Sequence, residues 1–189
     1  MKYFLPTGEW PLLEKPYHDL MKKIGLTQGN EENSDVLILA GGADIGMRKS
    51  RDLAEFHLYD TWTSNKKPVI GICRGMQLML HLNDGKLIEH IPDESIEIMH
   101  TTITGDWRGQ SSWHTTNLGL LTNSRHHQGF IDIPDFWDVI DKTDDGVIEA
   151  VQMNVHNKNQ FAVQWHPEHN EMNNKPAQDW WIETVKSIL

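Results

Sequence analysis

The chain has 189 residues, of which 38% are hydrophobic and 23% charged, and its formal net charge is −10. This length can bury a substantial core, whereas the acidic balance argues against binding to nucleic acid or to an anionic membrane surface, both of which need clustered Lys and Arg. No apolar run approaches the roughly 20 residues of a membrane-spanning helix, and a single cysteine excludes an internal disulfide, which is typical of reducing compartments. We therefore predict a cytoplasmic protein.

The first half of the chain alternates predicted strands and helices. Continuous apolar runs predict strands buried on both faces, and apolar residues at helical spacing predict helices. In chain order we predict a strand at 2–5, a helix at 11–25, a strand at 35–40, a helix at 50–63, a strand at 67–73 and a helix at 74–82. The predicted buried face of the helix at 50–63 carries Leu53, Ala54, His57, Leu58 and Trp62. This alternation is typical of a parallel sheet with helices on both faces.

The second half of the chain has a different pattern. Strands are predicted at 136–143, 146–153 and 160–165, and the last two suggest an antiparallel hairpin added to the sheet. The stretch 98–121 gives no clear pattern. A final helix is predicted at 177–189, with Trp181, Val185 and Ile188 or Leu189 facing inward. Because no linker separates the halves, we predict a single three-layer α/β domain over residues 1–189.

The only cysteine lies in the segment GICRGMQ, residues 71–77. The pattern G-x-C-x-G is typical of a nucleophile elbow, a sharp strand-to-helix turn that presents a reactive side chain. Gly71 and Gly75 would allow the close backbone approach that such a turn needs. The N-terminus of the following helix favours the thiolate, which is the attacking species. We interpret Cys73 as a nucleophile, although a buried structural cysteine is the common alternative.

A base for this nucleophile is predicted in the segment AVQWHPEH, residues 162–169. Pro167 favours an extended conformation at His166, and side chains two positions apart in an extended chain project to the same side. Glu168 can then accept a hydrogen bond from one ring nitrogen of His166 and leave the other facing the thiol. Taken alone, the segment fits a strand end with two solvated polar residues equally well.

Backbone N–H groups are the best donors for a developing oxyanion because they are fixed before reaction. The N–H of Arg74, directly after the cysteine, is one candidate. The second is the N–H of Gly42 in the segment AGGADIG, residues 40–46, which follows the neighbouring apolar strand. An ordinary glycine-rich turn is the alternative, and the spacing does not match a phosphate-binding loop.

Together, the glycine loop, G-x-C-x-G and H-P-E occur in an order that resembles the class I glutamine amidotransferase superfamily. The segments NSRHHQG at 123–129 and DDGVIEA at 144–150 resemble its γ-glutamyl hydrolase branch, the peptidase C26 family. The resemblance covers residues 35–168 and implies a flavodoxin-like fold with a central, mostly parallel sheet. It also implies a catalytic triad of Cys73, His166 and Glu168.

The family resemblance further implies the reaction. Cys73 would attack the carbonyl of a γ-glutamyl amide, an amine or ammonia would leave, and water would release glutamate from the thioester. His166 would act as base and then as acid, with Glu168 orienting it. The resemblance implies substrate contacts from Gly41, Gln77, Ser124, His126, His127 and Gln128. We expect no cofactor and no metal, since adjacent histidines seldom point the same way and no ligand cluster completes a site.

Three segments depart from the family pattern and border the implied pocket. Residues 26–33 are compressed, which predicts that one family strand is very short. Asp84 stands where the branch commonly has a glycine, and residues 105–114 match no family segment. Because these segments border the pocket, they bear on which leaving group the substrate carries and not on the identity of the triad.

Three functions remain open at this point. The first is a stand-alone hydrolase of γ-glutamyl amines, peptides or nucleotide-linked conjugates, which the HHQ and DGVIEA segments favour. The second is a glutaminase subunit that supplies ammonia to a separate synthetase. The third is a catalytically silent binding protein on the same fold, which the presence of all three triad candidates disfavours.

Overall fold

The computed structural model describes residues 1–6, 14–91, 112–153, 159–169 and 174–189. The beginning of the first predicted helix, at 11–13, lies outside the described residues. So do residues 105–111 of the segment that matches no family pattern, and the turn at 154–158 between the last two predicted strands.

Four helices and nine strands form within the described part of the chain. The helices are α1 (Glu14–Lys23), α2 (Lys49–Ser64), α3 (Arg74–His81) and α4 (Lys175–Ile188). The strands are β1 (Lys2–Phe4), β2 (Thr27–Gln28), β3 (Val36–Leu39), β4 (Val69–Ile72), β5 (Ser112–Thr115), β6 (Leu121–Ser124), β7 (Trp137–Lys142), β8 (Ile148–Met153) and β9 (Gln160–Val163). None of these helices is both long enough and apolar enough to span a membrane.

Seven strands form one sheet in the order β2-β1-β3-β4-β9-β8-β7. The first five run parallel, and β8 and β7 join antiparallel. The predicted mostly parallel sheet with an antiparallel extension is therefore confirmed, and β2, at two residues, is the very short strand that the compressed segment predicted. A separate antiparallel hairpin, β5-β6, was not predicted, because its residues alternate too weakly to stand out.

The core is divided between the two faces of this sheet. On one face, α1 and α4 pack against the strands; on the other, α2 and α3 do so. The side chains of Trp181 and Val185 are fully buried, and Ile188 and Leu189 pack against the same cluster. The predicted inward face of the C-terminal helix is therefore confirmed.

The predicted buried face of α2 is partly wrong. Leu58 and Trp62 are buried, but Leu53 is 68% exposed, and Ala54 and His57 are exposed as well. The helix is rotated because Asp52 and Glu55 turn inward to pair with a buried arginine. Ionic partners thus override the apolar pattern on this helix.

The carboxyl ends of the parallel strands meet at one edge of the sheet, where ligands bind in open α/β folds. The glycine loop at 40–46 follows β3, Cys73 follows β4, and the segment 164–169 follows β9. Since β3, β4 and β9 are neighbours in the sheet, all three segments come together at this edge.

Candidate active site

Cys73 occupies the turn between β4 and α3, as the elbow pattern predicts. Its backbone has φ +53° and ψ −112°, a conformation that is strained for any residue other than glycine. The strain is held in place by a hydrogen bond of 2.8 Å from the Cys73 N–H to the carbonyl of Val163 on β9. The thiol is thereby fixed at the N-terminus of α3 with little exposure to solvent.

The two glycines around the thiol are required by packing. A Cβ atom on Gly75 would lie 2.0 Å from the carbonyl oxygen of Leu39, on β3. A Cβ atom on Gly71 would lie 2.9 Å from the backbone carbon of Gly75. Side chains at either position would push α3 away from the sheet and displace the sulfur, so the spacing in G-x-C-x-G follows from the close contact between helix and strand.

His166 lies between a carboxylate and the thiol. Its Nδ1 is 2.6 Å from Oε1 of Glu168, and the ring lies beside Cys73, since a Cβ atom on Gly41 would contact both residues. Burial alone lowers the pKa of His166, but the charges of Glu168 and Cys73 outweigh burial and raise that pKa to about 10. Burial raises the pKa of Glu168, yet the charge and hydrogen bond of His166 bring it below its usual range. Both groups are therefore charged near neutral pH.

The neighbouring histidine, His169, has the opposite electrostatic character. Its ring centroid is 5.4 Å from that of His166, and its Nε2 is 3.6 Å from Oε1 of Glu168. Burial, reinforced by the positive charges of His166 and Arg125, lowers the pKa of His169 to about 4 despite the charge of Glu168. His169 is therefore neutral at pH 7, which distinguishes it from His166.

The glycine loop lies directly against the thiol and the imidazole. A Cβ atom on Gly41 would lie 2.8 Å from Cε1 of His166 and 3.5 Å from Cβ of Cys73. The Gly41 carbonyl accepts a hydrogen bond of 3.1 Å from Nη2 of Arg51. Because the C=O and N–H of a trans peptide point in opposite directions, this contact turns the N–H of Gly42 away from Arg51.

A buried ionic network joins the loop to the elbow. The guanidinium of Arg74 pairs with Asp52 and Glu55, and Nε of Arg51 donates to Glu55 over 2.9 Å. Asp52 also accepts a hydrogen bond of 2.8 Å from the N–H of Gly46. Two cations and two anions thus balance one another, and the guanidinium of Arg74 is directed at these carboxylates. Arg51, Asp52 and Glu55 were not predicted from the sequence to take part in the site.

A chain of glutamine side chains leads from the predicted pocket to the thiol. Nε2 of Gln77 donates to the carbonyl of Gln128 (3.1 Å) and to Oε1 of Gln164 (3.3 Å). Nε2 of Gln164 in turn lies 3.7 Å from the sulfur of Cys73. Gln77 and the backbone carbonyl of Gln128 therefore lie near the elbow, and their contact with substrate stays a prediction. Gln164 was not singled out from the sequence.

The adjacent histidines of the NSRHHQG segment point in different directions. Nε2 of His127 is 3.1 Å from Oδ2 of Asp44, in the glycine loop. Nε2 of His126 instead lies 3.7 Å from Oε1 of Glu149, on β8. Ser124, at the end of β6, is buried. Of the two histidines, His127 borders the glycine loop.

Asn123 fixes the backbone that carries the imidazole. Its Oδ1 accepts a hydrogen bond of 2.8 Å from the N–H of His166, and its Nδ2 donates one of 3.1 Å to the His166 carbonyl. The Asn123 side chain is fully buried on β6. Asn123 begins the NSRHHQG segment, but no role was predicted for it, because its partner lies 43 positions away.

Comparisons with known proteins find relatives of this chain. Residues 32–168 match the family model of peptidase C26. The "putative glutamine amidotransferase-like protein YvdE" of Lactococcus lactis is 30% identical over 164 residues, covering 82% of this chain and 69% of that protein. Protein NtpR of Enterococcus hirae is 28% identical, with coverage of 76% and 71%.

Two solved structures share the fold at low sequence identity. A protein from Thermoplasma acidophilum, described as a putative subunit of GMP synthase, has a TM-score of 0.65 and 15% identity, and the match covers 100% of this chain and 93% of that one. A glutamine amidotransferase from Thermotoga maritima has a TM-score of 0.62 and 14% identity, with coverage of 98% and 82%. The sheet with helices on both faces is therefore the flavodoxin-like α/β fold of these proteins.

Proposed function

This chain belongs to the peptidase C26 family of the class I glutamine amidotransferase superfamily, cysteine-type amidohydrolases and amidotransferases, and from that premise we propose that it hydrolyses γ-glutamyl amides. The observation that carries the proposal is the position of His166, whose Nδ1 is 2.6 Å from Oε1 of Glu168 and whose ring feels the charge of Cys73. A nucleophile, a base and an orienting carboxylate in series are what thiol-dependent acyl transfer requires.

In the proposed mechanism, the Cys73 thiolate attacks the γ-carbonyl carbon of the substrate, and its oxygen becomes an oxyanion. The backbone N–H groups of Gly42 and Arg74 stabilise this charge. The His166 imidazolium then gives its proton to the departing amine, which leaves a γ-glutamyl thioester on Cys73. His166, now neutral, takes a proton from water as the water attacks the thioester, and glutamate is released. Glu168 holds the ring in place throughout.

The glutamyl part of the substrate is proposed to contact the polar groups beside the thiol. Gln77 and Gln128 lie on the chain of hydrogen bonds that reaches Cys73, and Gly41 lies against its Cβ atom. Ser124, His126 and His127 complete the set assigned from the family resemblance. The amine on the far side of the scissile bond is left open to small amines, peptides and nucleotide-linked conjugates.

The test is a panel of γ-glutamyl amides with glutamate release as the readout. We expect turnover of at least one substrate by the wild-type protein. We expect Cys73→Ala to lose activity by at least about 10³-fold, because triad members act as a unit, with an unchanged circular dichroism spectrum. The exposed Leu53→Ala serves as the matched control and should keep full activity. Unchanged glutamate release by Cys73→Ala would overturn the proposal.

The same panel separates the hydrolase from a glutaminase that works within a larger complex. One neighbour in fold is a putative subunit of GMP synthase, and a protein of that kind would prefer L-glutamine and become strongly activated by a synthetase partner. A stand-alone hydrolase would instead cleave a γ-glutamyl amide other than glutamine at full rate without a partner.

A further inference from the structure

A carboxylate lies fully buried in a place that the proposed chemistry does not use. Glu149, on β8, has no exposed surface. Within the described residues, neither of its carboxylate oxygens accepts a hydrogen bond. An isolated ionised carboxylate in a protein interior is costly unless it is paired or coordinates a metal. A positively charged partner would offset the cost of burying an ionised Glu149.

Two histidines direct ring nitrogens at this carboxylate. Nε2 of His114, on β5, is 3.3 Å from Oε1 of Glu149, and Nε2 of His126 is 3.7 Å from the same atom. The three ligand atoms all lie within 4.8 Å of one another. Nδ1 of His126 is 2.9 Å from the carbonyl of Gln128; since a carbonyl can only accept, this nitrogen carries the proton. In neutral His126, Nε2 then presents its lone pair to the cluster, as in metal-ligating histidines.

The distances between the ligand atoms of His114, His126 and Glu149 differ from the distance between His166 and Glu168 beside the thiol. Ligand atoms bound to a tetrahedral zinc ion at about 2.0–2.1 Å lie about 3.3–3.4 Å apart. The two distances to Glu149 are close to that value, whereas His166 and Glu168 approach to 2.6 Å. The distance between Nδ1 of His166 and Oε1 of Glu168 is that of a hydrogen bond, and it is too short for two atoms that bind the same metal ion. The His114–His126–Glu149 cluster is spaced for a cation between its members.

We propose that His114, His126 and Glu149 form a binding site for a divalent transition-metal ion of the zinc class. Two imidazoles and one carboxylate form a ligand set that zinc takes in proteins, with the fourth position open to water. The ion would join the β5-β6 hairpin, which carries His114 and ends just before His126, to Glu149 on the central sheet. The site shares His126 with the substrate contacts that the family resemblance assigns, but it includes no member of the Cys73–His166–Glu168 triad, so the proposal does not depend on the thiol chemistry.

The experiment uses the Cys73→Ala protein, because a thiol beside an imidazole can itself bind zinc. After chelator treatment, zinc is titrated by calorimetry, and the bound metal is counted by elemental analysis after dialysis. We expect one zinc ion per chain and a melting temperature that rises with zinc concentration, since the ion binds the folded state. Adding Glu149→Gln should weaken zinc binding by at least about tenfold to a hundredfold, whereas adding His127→Gln, at the neighbouring histidine outside the cluster, should leave it unchanged.

Two results would overturn this proposal: no zinc bound at micromolar concentrations, or equal zinc affinity with and without Glu149→Gln. If the three groups share protons instead of a metal, the melting temperature will depend on pH and not on zinc, which also contradicts the site. Should Glu149→Gln fail to fold, His114→Gln replaces it, because the side chain of His114 is partly exposed and tolerates the change better.

Discussion

The charge state of one imidazole controls the proposed chemistry at the residue scale. His166 is buried, which favours the neutral ring, yet Glu168 and Cys73 raise its pKa to about 10. The imidazolium must supply a proton to the leaving amine, so the rate should fall as pH rises through this value. The alkaline limb of the pH profile therefore reports on His166.

Glu168→Gln tests this electrostatic link. The substitution removes the largest cause that raises the pKa of His166, so the pKa should fall and the alkaline limb of kcat/KM should move to lower pH. We expect a loss of roughly 10²–10⁴-fold at pH 7, as for other triads with a neutralised orienting carboxylate, with residual activity above that of Cys73→Ala. Full activity and an unmoved pH profile would show that another residue orients the imidazole.

At the scale of elements, the β5-β6 hairpin positions the segment that follows β9. The two hydrogen bonds of Asn123 join β6 to the backbone of His166, so the hairpin determines where the imidazole stands. The strand before His166 is predicted from the sequence, but its contact with Asn123 is not. No strand was predicted for the residues of the β5-β6 hairpin, because tertiary contacts stabilise these strands and their local sequence pattern is weak.

Asn123→Ala should lower kcat while leaving KM nearly unchanged, because the backbone of His166 loses both partners and the ring loses its position. A buried N–H and carbonyl left unpaired should also reduce the free energy of unfolding by about 1–3 kcal/mol. Asn123→Asp, which keeps the acceptor but cannot donate to the carbonyl, should recover part of kcat. The matched control is Thr122→Val at the preceding, equally buried position; an equal loss of kcat there would show that the effect is merely structural.

At the scale of the whole molecule, the sequence predicts the alternation of strands and helices in the first half, the antiparallel extension and the meeting of three motifs at one sheet edge. These follow from local apolar patterns and from the rule that parallel strands present their carboxyl ends together. The buried face of α2 and the position of Glu149 could not be predicted in this way. Each depends on charged partners that are distant in sequence, such as Arg74 for Glu55.

The two tryptophans at the centre of α4 test the packing of this core. Trp181 is fully buried against the sheet, whereas Trp180 is only partly buried beside Phe161. Trp181→Ala should lower the free energy of unfolding by about 3–5 kcal/mol, and Trp180→Ala by clearly less, as measured by urea denaturation. A single cooperative transition of the wild-type protein would support the predicted single domain, and equal losses for both variants would contradict the assignment of the inward face.

The left-handed backbone conformation of Cys73 creates a trade-off between thermal stability and catalytic activity at a single position. A residue with a side chain held at φ +53° costs the fold about 1–3 kcal/mol, which glycine would largely avoid. Laboratory evolution for heat resistance alone would therefore favour Cys73→Gly and arrive at a sturdier but inert protein. Any engineering of this protein therefore has to select for product formation as well as for thermal tolerance, because selection for tolerance alone favours loss of the Cys73 thiol.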